Sequence, residues 1–400
     1  MTAQQETGQR SRAPHVVGLV AAGTTLIAAT YGLVRLAFGL HLPEMGEEFG
    51  LDLTTLGLIS AGASLVYGLA AGIGFLVGDR FPRALVLAAG LAAGGGSLGI
   101  ALTHDAGVFS ACAIASSAGA GFASPGLVRI IHRAASPAER STMQSIVNAG
   151  TGPGLVAAGG LAWALAPEWR PAWVVAGGAT ALATIAVLWL GRAEGGSGAV
   201  GTEGRSALHL PPITWWSSHR VALVAAAAFG FGAAAIWNFG RTALVDAGAS
   251  ESASLLAWVL LGFGGAAVIA TAPLLRRRGP RSLWLVSTIP AAACTAVLGM
   301  FPGSPVLAGT ACAVFGWGYV TATGALIEWT TQIDGSRAAT GTAVLFVVFM
   351  IGQATGAAVV GAFVAEAGYP ASFGVAAAVA CAAGLLGYER RRSATRSVEN

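Results

Sequence analysis

Apolar positions run in long unbroken stretches along the chain, and polar positions gather in the joints between them. About 20 apolar residues in helical form cross a bilayer core, because each adds ~1.5 Å to a path of ~30 Å. On that measure the pattern predicts twelve spanning helices, at about residues 16–42, 54–78, 82–103, 106–131, 142–166, 171–191, 220–245, 253–275, 282–301, 305–331, 338–364 and 370–388. The third and fourth runs, and the ninth and tenth, are joined so tightly that each pair is expected to be an antiparallel hairpin. The first run carries a single charge, Arg35, with Tyr31 one helical turn before it. A charge in such a run is costly and by default faces a protein interior or a wet cavity.

One polar stretch is much longer than the rest. Residues 191–219 are Gly/Ser-rich, charged and central, so they are expected to form a flexible linker. The predicted organisation is a tail (1–15), a six-helix half (16–191), the linker (192–218), a second six-helix half (219–389) and a second tail (390–400). Trp215 and Trp216, at the end of the linker, suit a membrane interface. The fold class is all-α integral membrane, with twelve transmembrane helices in two six-helix halves, a known transporter plan.

Charge adds an orientation. With the N-terminus in the cytoplasm, nineteen of the 22 basic residues fall at inner joints and tails, Arg170 and Arg241 fall outside, and Arg35 lies within a span. Such a bias places both termini and the linker in the cytoplasm of a multi-pass cell-membrane protein. The net charge of +4 is carried entirely by arginine, in short blocks between apolar runs, which argues against nucleic-acid binding. Hydrophobic residues make up 55% of the chain and charged ones 10%, against roughly 25% charged in soluble domains. The polar N-terminus leads into a run too long for a signal-peptide core and is expected to be retained. Cys112, Cys294, Cys312 and Cys381 lie in apolar runs without CxxC spacing and read as packing residues. No disulfide framework, metal site or cofactor is indicated.

Several motifs carry candidate chemistry. The joint after the second run reads Gly74-Phe75 onward to Gly78, Asp79, Arg80, Phe81, Pro82 and Arg83. Asp79 ends an inward-running helix, at the wrong pole of that helix's dipole, and needs an arginine or another helix's N-terminus, such as the start of the eleventh run near Ser336. This joint resembles the loop signature of the major facilitator superfamily, with Phe75 and Pro82 where the family has glycines. The resemblance implies that Asp79, Arg80 and Arg83 gate the cytoplasmic side. The matching loop of the second half, Arg276 to Arg281, has no aspartate.

In the fifth run, Gly150, Gly152, Pro153 and Gly154 resemble the glycine–proline signature of drug–proton antiporters, which implies export. Gly150 and Gly154 lie one turn apart and offer a face for close helix contact, and Pro153 permits a kink. The eighth run, with Gly262, Gly264 and Gly265, is a candidate partner; ordinary glycine packing is the alternative.

The first helix of each half repeats one pattern: Tyr31 four residues before Arg35, and Trp237 with Asn238 before Arg241. Each set shares a helix face, so the two are expected on opposite walls of one cavity, binding an anion. Snorkelling of the arginines to the headgroups is the alternative. Asp246 is the expected local competitor for Arg241. Gln353 is an uncharged hydrogen-bonding candidate. Glu328, within the tenth run, is the candidate proton-coupling residue; the alternative is a pair with Arg337.

The expected function is secondary active transport of a small organic molecule by alternating access, as efflux coupled to protons. Uptake or exchange of a small organic anion is the alternative, and a non-transporting membrane sensor the alternative from another class. No nucleotide-binding loop is present, and no nucleophile, metal cluster or acid–base pair points to an enzyme. The expected partners are a small-molecule substrate and lipid, with the chain a monomer.

Overall fold

Each predicted run is helical in the computed structural model, which describes residues 2–136, 138–192, 211–275 and 277–396. Ten helices are long and apolar enough to cross a membrane. We number the spans α1 (His15–Leu36), α2 (Leu53–Val77), α3 (Pro82–Leu102), α4 (Ala106–Ala134), α5 (Arg140–Asn148 with Thr151–Leu165), α6 (Trp169–Leu190), α7 (Ile213–Asp246), α8 (Glu251–Leu275), α9 (Pro280–Met300) and α10 (Pro305–Ile333). The tenth long helix, Gly335–Tyr388, is α11 and α12 joined at Gly368. There φ is +77°, a left-handed value suited to glycine, and Pro370 follows without an N–H to continue the ladder. Segment α5 is interrupted at Ala149 and Gly150. Counted this way, the described helices are compatible with twelve spans.

Three boundaries differ from the expectation. The seventh helix starts at Ile213 rather than near residue 219, so Trp215 and Trp216 lie in its first turns. Trp215 is fixed there by stacking on His219, 3.8 Å between ring centres. The remainder of the linker, 193–210, lies outside the described residues. Helix continues upstream of α1 to Thr2, and downstream of α12 to Arg396. The last nine residues of α1, Ala28–Leu36, form a π-helix where a regular α-helix was expected. Wide turns of this kind are rare and concentrate at functional sites; here they carry Tyr31 and Arg35.

The first six helices and the last six close against each other at the arginine-poor end. Gly39 abuts the Trp237 backbone, Leu53 of α2 abuts Gly361 of α11, and Gly57 abuts Ala357. The α5–α8 contact runs from Gly159 beside Val259 to Gly152 beside Ala266 at mid-depth. Beyond it, Val268–Leu275 of α8 buries no residue. Along α5 and α8 the bundles therefore part towards the arginine-rich end, while α2 stays against α11 as far as Gly72 beside Val347.

Candidate functional site

The central polar group draws on α1, α2, α10 and α11. The Arg35 guanidinium lies 4.2 Å above the ring of Tyr67 from α2. Tyr67 and Tyr31 share a 3.1 Å hydrogen bond between hydroxyls. From α11, Gln353 accepts a 2.8 Å hydrogen bond from Arg35 Nη2, and Met350 presents its sulfur at 3.1 Å. Tyr319 of α10 interacts with both Gln353 and Arg35. All these partners are neutral, and among the described residues no carboxylate pairs with Arg35. Its Nε is buried without a hydrogen-bond partner.

Beside this group lies a small cavity of about 30 Å³, lined by Arg35, Ser60, Ser64, Trp237, Asn238 and Gln353. That volume holds roughly two waters and no organic molecule, so the site is narrow in this conformation. The Ser60 hydroxyl and the Trp237 indole N–H are also buried and unpartnered. Burying polar groups without partners is costly, and a ligand able to bond them would remove that cost. Trp237 is held in place by ring contacts with Tyr319 (5.0 Å) and Phe315 (5.9 Å). Asn238 bonds the Ala234 carbonyl of its own helix at 2.8 Å. The structure thus joins Tyr31, Arg35 and Gln353 into one cluster and brings Trp237 and Asn238 to its edge. Sequence reasoning missed Ser60, Tyr67 and Tyr319. A usable signal was the scarcity of tyrosine: of five in the chain, three meet here.

Arg241 does not share this site, and the expectation of two arginines facing one anion is corrected. Its side chain is only 2% exposed and is neutralised by Glu44, with two N···O distances of 2.6 Å. The Leu40 carbonyl accepts a further bond at 2.6 Å and the Ser254 hydroxyl another at 3.2 Å. Glu44 reaches Arg241 because residues 42–49 form a short helix. Pro43 opens that helix, Leu42 and Met45 anchor it, and Gly50 ends it at φ +60°. Glu44 sits in its first turn, where the helix dipole favours a carboxylate. Asp246, the expected competitor, instead accepts a 2.6 Å bond from the Tyr369 hydroxyl. Arg170 likewise pairs with a carboxylate, Glu48, at 2.5 Å, and holds it below the usual carboxylate range.

The motif after α2 makes its contacts within its own half. Asp79 pairs with Arg129 of α4, Arg80 lies over the Phe81 ring, and Arg83 donates to the Leu188 carbonyl at 3.2 Å. Ser336, near the expected partner of Asp79, donates instead to Asp334 through both its backbone N–H and its hydroxyl.

The sequence model of the Major Facilitator Superfamily matches residues 22–333. The chain belongs to that superfamily. No curated protein matches it in sequence. Among solved structures, a peptide transporter POT is similar over 94% of this chain and 94% of its own, with TM-score 0.76 and 14% identity. A bacterial homolog of the human lysosomal transporter Spinster, inward-facing and occupied, is similar over 95% and 97%, with TM-score 0.71 and 17% identity. The nucleoside transporter NupG is similar over 93% and 98%, with TM-score 0.71 and 12% identity. At these identities the likeness is one of fold.

Within this facilitator fold, the glycine–proline stretch of α5 packs chiefly on α1 rather than on α8. A Cβ at Gly150 would overlap the Thr24 carbonyl, and one at Gly154 would overlap Ala28. Gly152 alone of the three faces α8, at Ala266. The reason is spacing: Gly32 of α1 meets Gly154, so small residues face each other on that pair of helices. Glu328 is exposed on α10, and the alternative, a pair with Arg337, is not formed; Arg337 pairs with Asp334 at 3.4 Å.

Proposed function

We infer that this chain is a secondary transporter that carries a small organic anion across the cell membrane by alternating access. The observation that supports this most is Arg35: a permanent charge, held where the two bundles meet, without a counter-carboxylate and with a buried N–H left open. Arginine stays charged at any physiological pH and binds carboxylates through two parallel bonds, so it suits an anion and repels a cation. The arginine-rich face is read as cytoplasmic, so this conformation is closed outside and open towards the cytoplasm.

Purified protein should be stabilised in a thermal-shift screen by organic anions and not by cationic dyes. Arg35→Gln should weaken the anion response by about tenfold, the effect of losing ~1.5 kcal/mol from a charged hydrogen bond. Arg35→Lys, which keeps the charge but loses the planar fork, should fall between the two. Undiminished anion binding in Arg35→Gln would end the reading.

Asp79 is the proposed cytoplasmic latch. Its pair with Arg129 is exposed and worth at most ~1 kcal/mol, so it is not needed for folding. Asp79→Asn should therefore lower transport severalfold at unchanged membrane abundance; full transport would return the motif to ordinary loop charge. Export is a second reading, favoured by the contact of Gly150 and Gly154 with the helix that carries Arg35, with Glu328 as its proposed proton site.

A further inference from the structure

Among the described residues two arginines lie where the bundles meet, and their surroundings differ. Arg241 is saturated and neutralised by Glu44. Arg35 is cradled by an amide, a thioether and a tyrosine face, none of which cancels its charge. Two of those three partners, Met350 and Gln353, lie on α11 in the opposite bundle. The space beside them admits roughly two waters.

These facts bear on the step in which the empty protein changes sides. Passing through a state closed at both ends strips water from the site, and a lone cation taken from water into such surroundings is strongly penalised. A monovalent anion at Arg35 removes that penalty, because the loaded site then carries no net charge. The loaded protein crosses readily and the empty one does not.

Building on the anion reading of Arg35, we propose that this chain is an obligate exchanger of monovalent organic anions. One carboxylate enters only as another leaves, and Arg35 is the residue that enforces the coupling. The carboxylate accepts from Arg35 Nε, and the Ser60 hydroxyl and Trp237 N–H that line the same cavity complete its shell. One anion crosses for one returned, so no net charge moves.

The test uses the full chain in proteoliposomes, with radiolabelled benzoate and lactate as external probes. Uptake into liposomes preloaded with the same unlabelled acids should exceed uptake into sorbitol-loaded ones by at least tenfold. A potassium–valinomycin potential should leave the exchange rate unchanged. Gln353→Glu supplies the informative variant, since it places a carboxylate where an amide oxygen already accepts from Arg35 at 2.8 Å. It should neutralise the empty site and leave the loaded one with a net negative charge, so anion binding and exchange should both fall and preloading should lose its advantage. Equal uptake into preloaded and sorbitol-loaded liposomes by the wild type would overturn obligate exchange and leave the anion reading standing. If Arg35→Gln took up both acids as well as the wild type, or if neither acid entered at all, both readings would fall.

Discussion

Gly39→Ala should abolish transport while the protein stays at normal abundance in the membrane. Gly39 follows α1 at the outer end, and a Cβ there would overlap the Trp237 carbonyl of α7. The overlap is with backbone, which cannot rotate away as a side-chain tip can, so the outer ends of the two bundles would have to stay apart. The clash exists only when the outer side is closed, and the outward-open form escapes it. A cysteine at Asn238 should accordingly become accessible to a membrane-impermeant label from outside in the Gly39→Ala background. Gly264→Ala is the contrast. There a Cβ would overlap the Ala313 carbonyl between α8 and α10, two helices of the same bundle. No change of state relieves that clash, so this variant should lose abundance. Normal transport by Gly39→Ala would show that the approach of α1 to α7 is not needed for the cycle.

Glu44→Ala should likewise unlatch the outer side, by electrostatics rather than by shape. Removing one partner of a fully buried ion pair costs ~3–5 kcal/mol, because the other charge is left without compensation. Arg241 is 2% exposed but the Glu44 side chain is 23% exposed, so solvent screening reduces the figure to about 1–3 kcal/mol. Since ~1.4 kcal/mol is a factor of ten, the closed-outside population should fall roughly 5- to 150-fold relative to the open one. The measurement is the same external labelling at Asn238→Cys, together with the melting temperature. Glu44→Ala combined with Arg241→Met removes the stranded charge, so it should be more stable than Glu44→Ala alone. If the double variant is the less stable one, Arg241 is held by the Leu40 carbonyl and Ser254 and not by its carboxylate. Both variants are read against the same inference, that closure of the outer end is carried by a few contacts near Gly39 and Arg241.

What the sequence determined by itself is the part of this protein that lipid dictates. Chain in a bilayer must satisfy its own backbone polar groups, so each long apolar run is a helix, and the tight joint at residues 103–105 makes α3 and α4 a hairpin. Arg35 and Gln353 were legible as polar residues at membrane depth, where cost alone marks them out. Only the tertiary structure decided which residues meet. Glu44 and Arg241 are 197 positions apart and Arg35 and Gln353 are 318 apart, and no pattern within a single helix reports such pairings. Which face of one helix turns to another depends on tilt and rotation, which close packing sets. Glycines four residues apart recur on α2, α3 and α11 as well, so spacing could not choose between α1 and α8 as the partner of Gly150 and Gly154. Arg241 was read as open to an anion because its carboxylate sits in a joint, and joints fold back into the gap between bundles only once those bundles have packed.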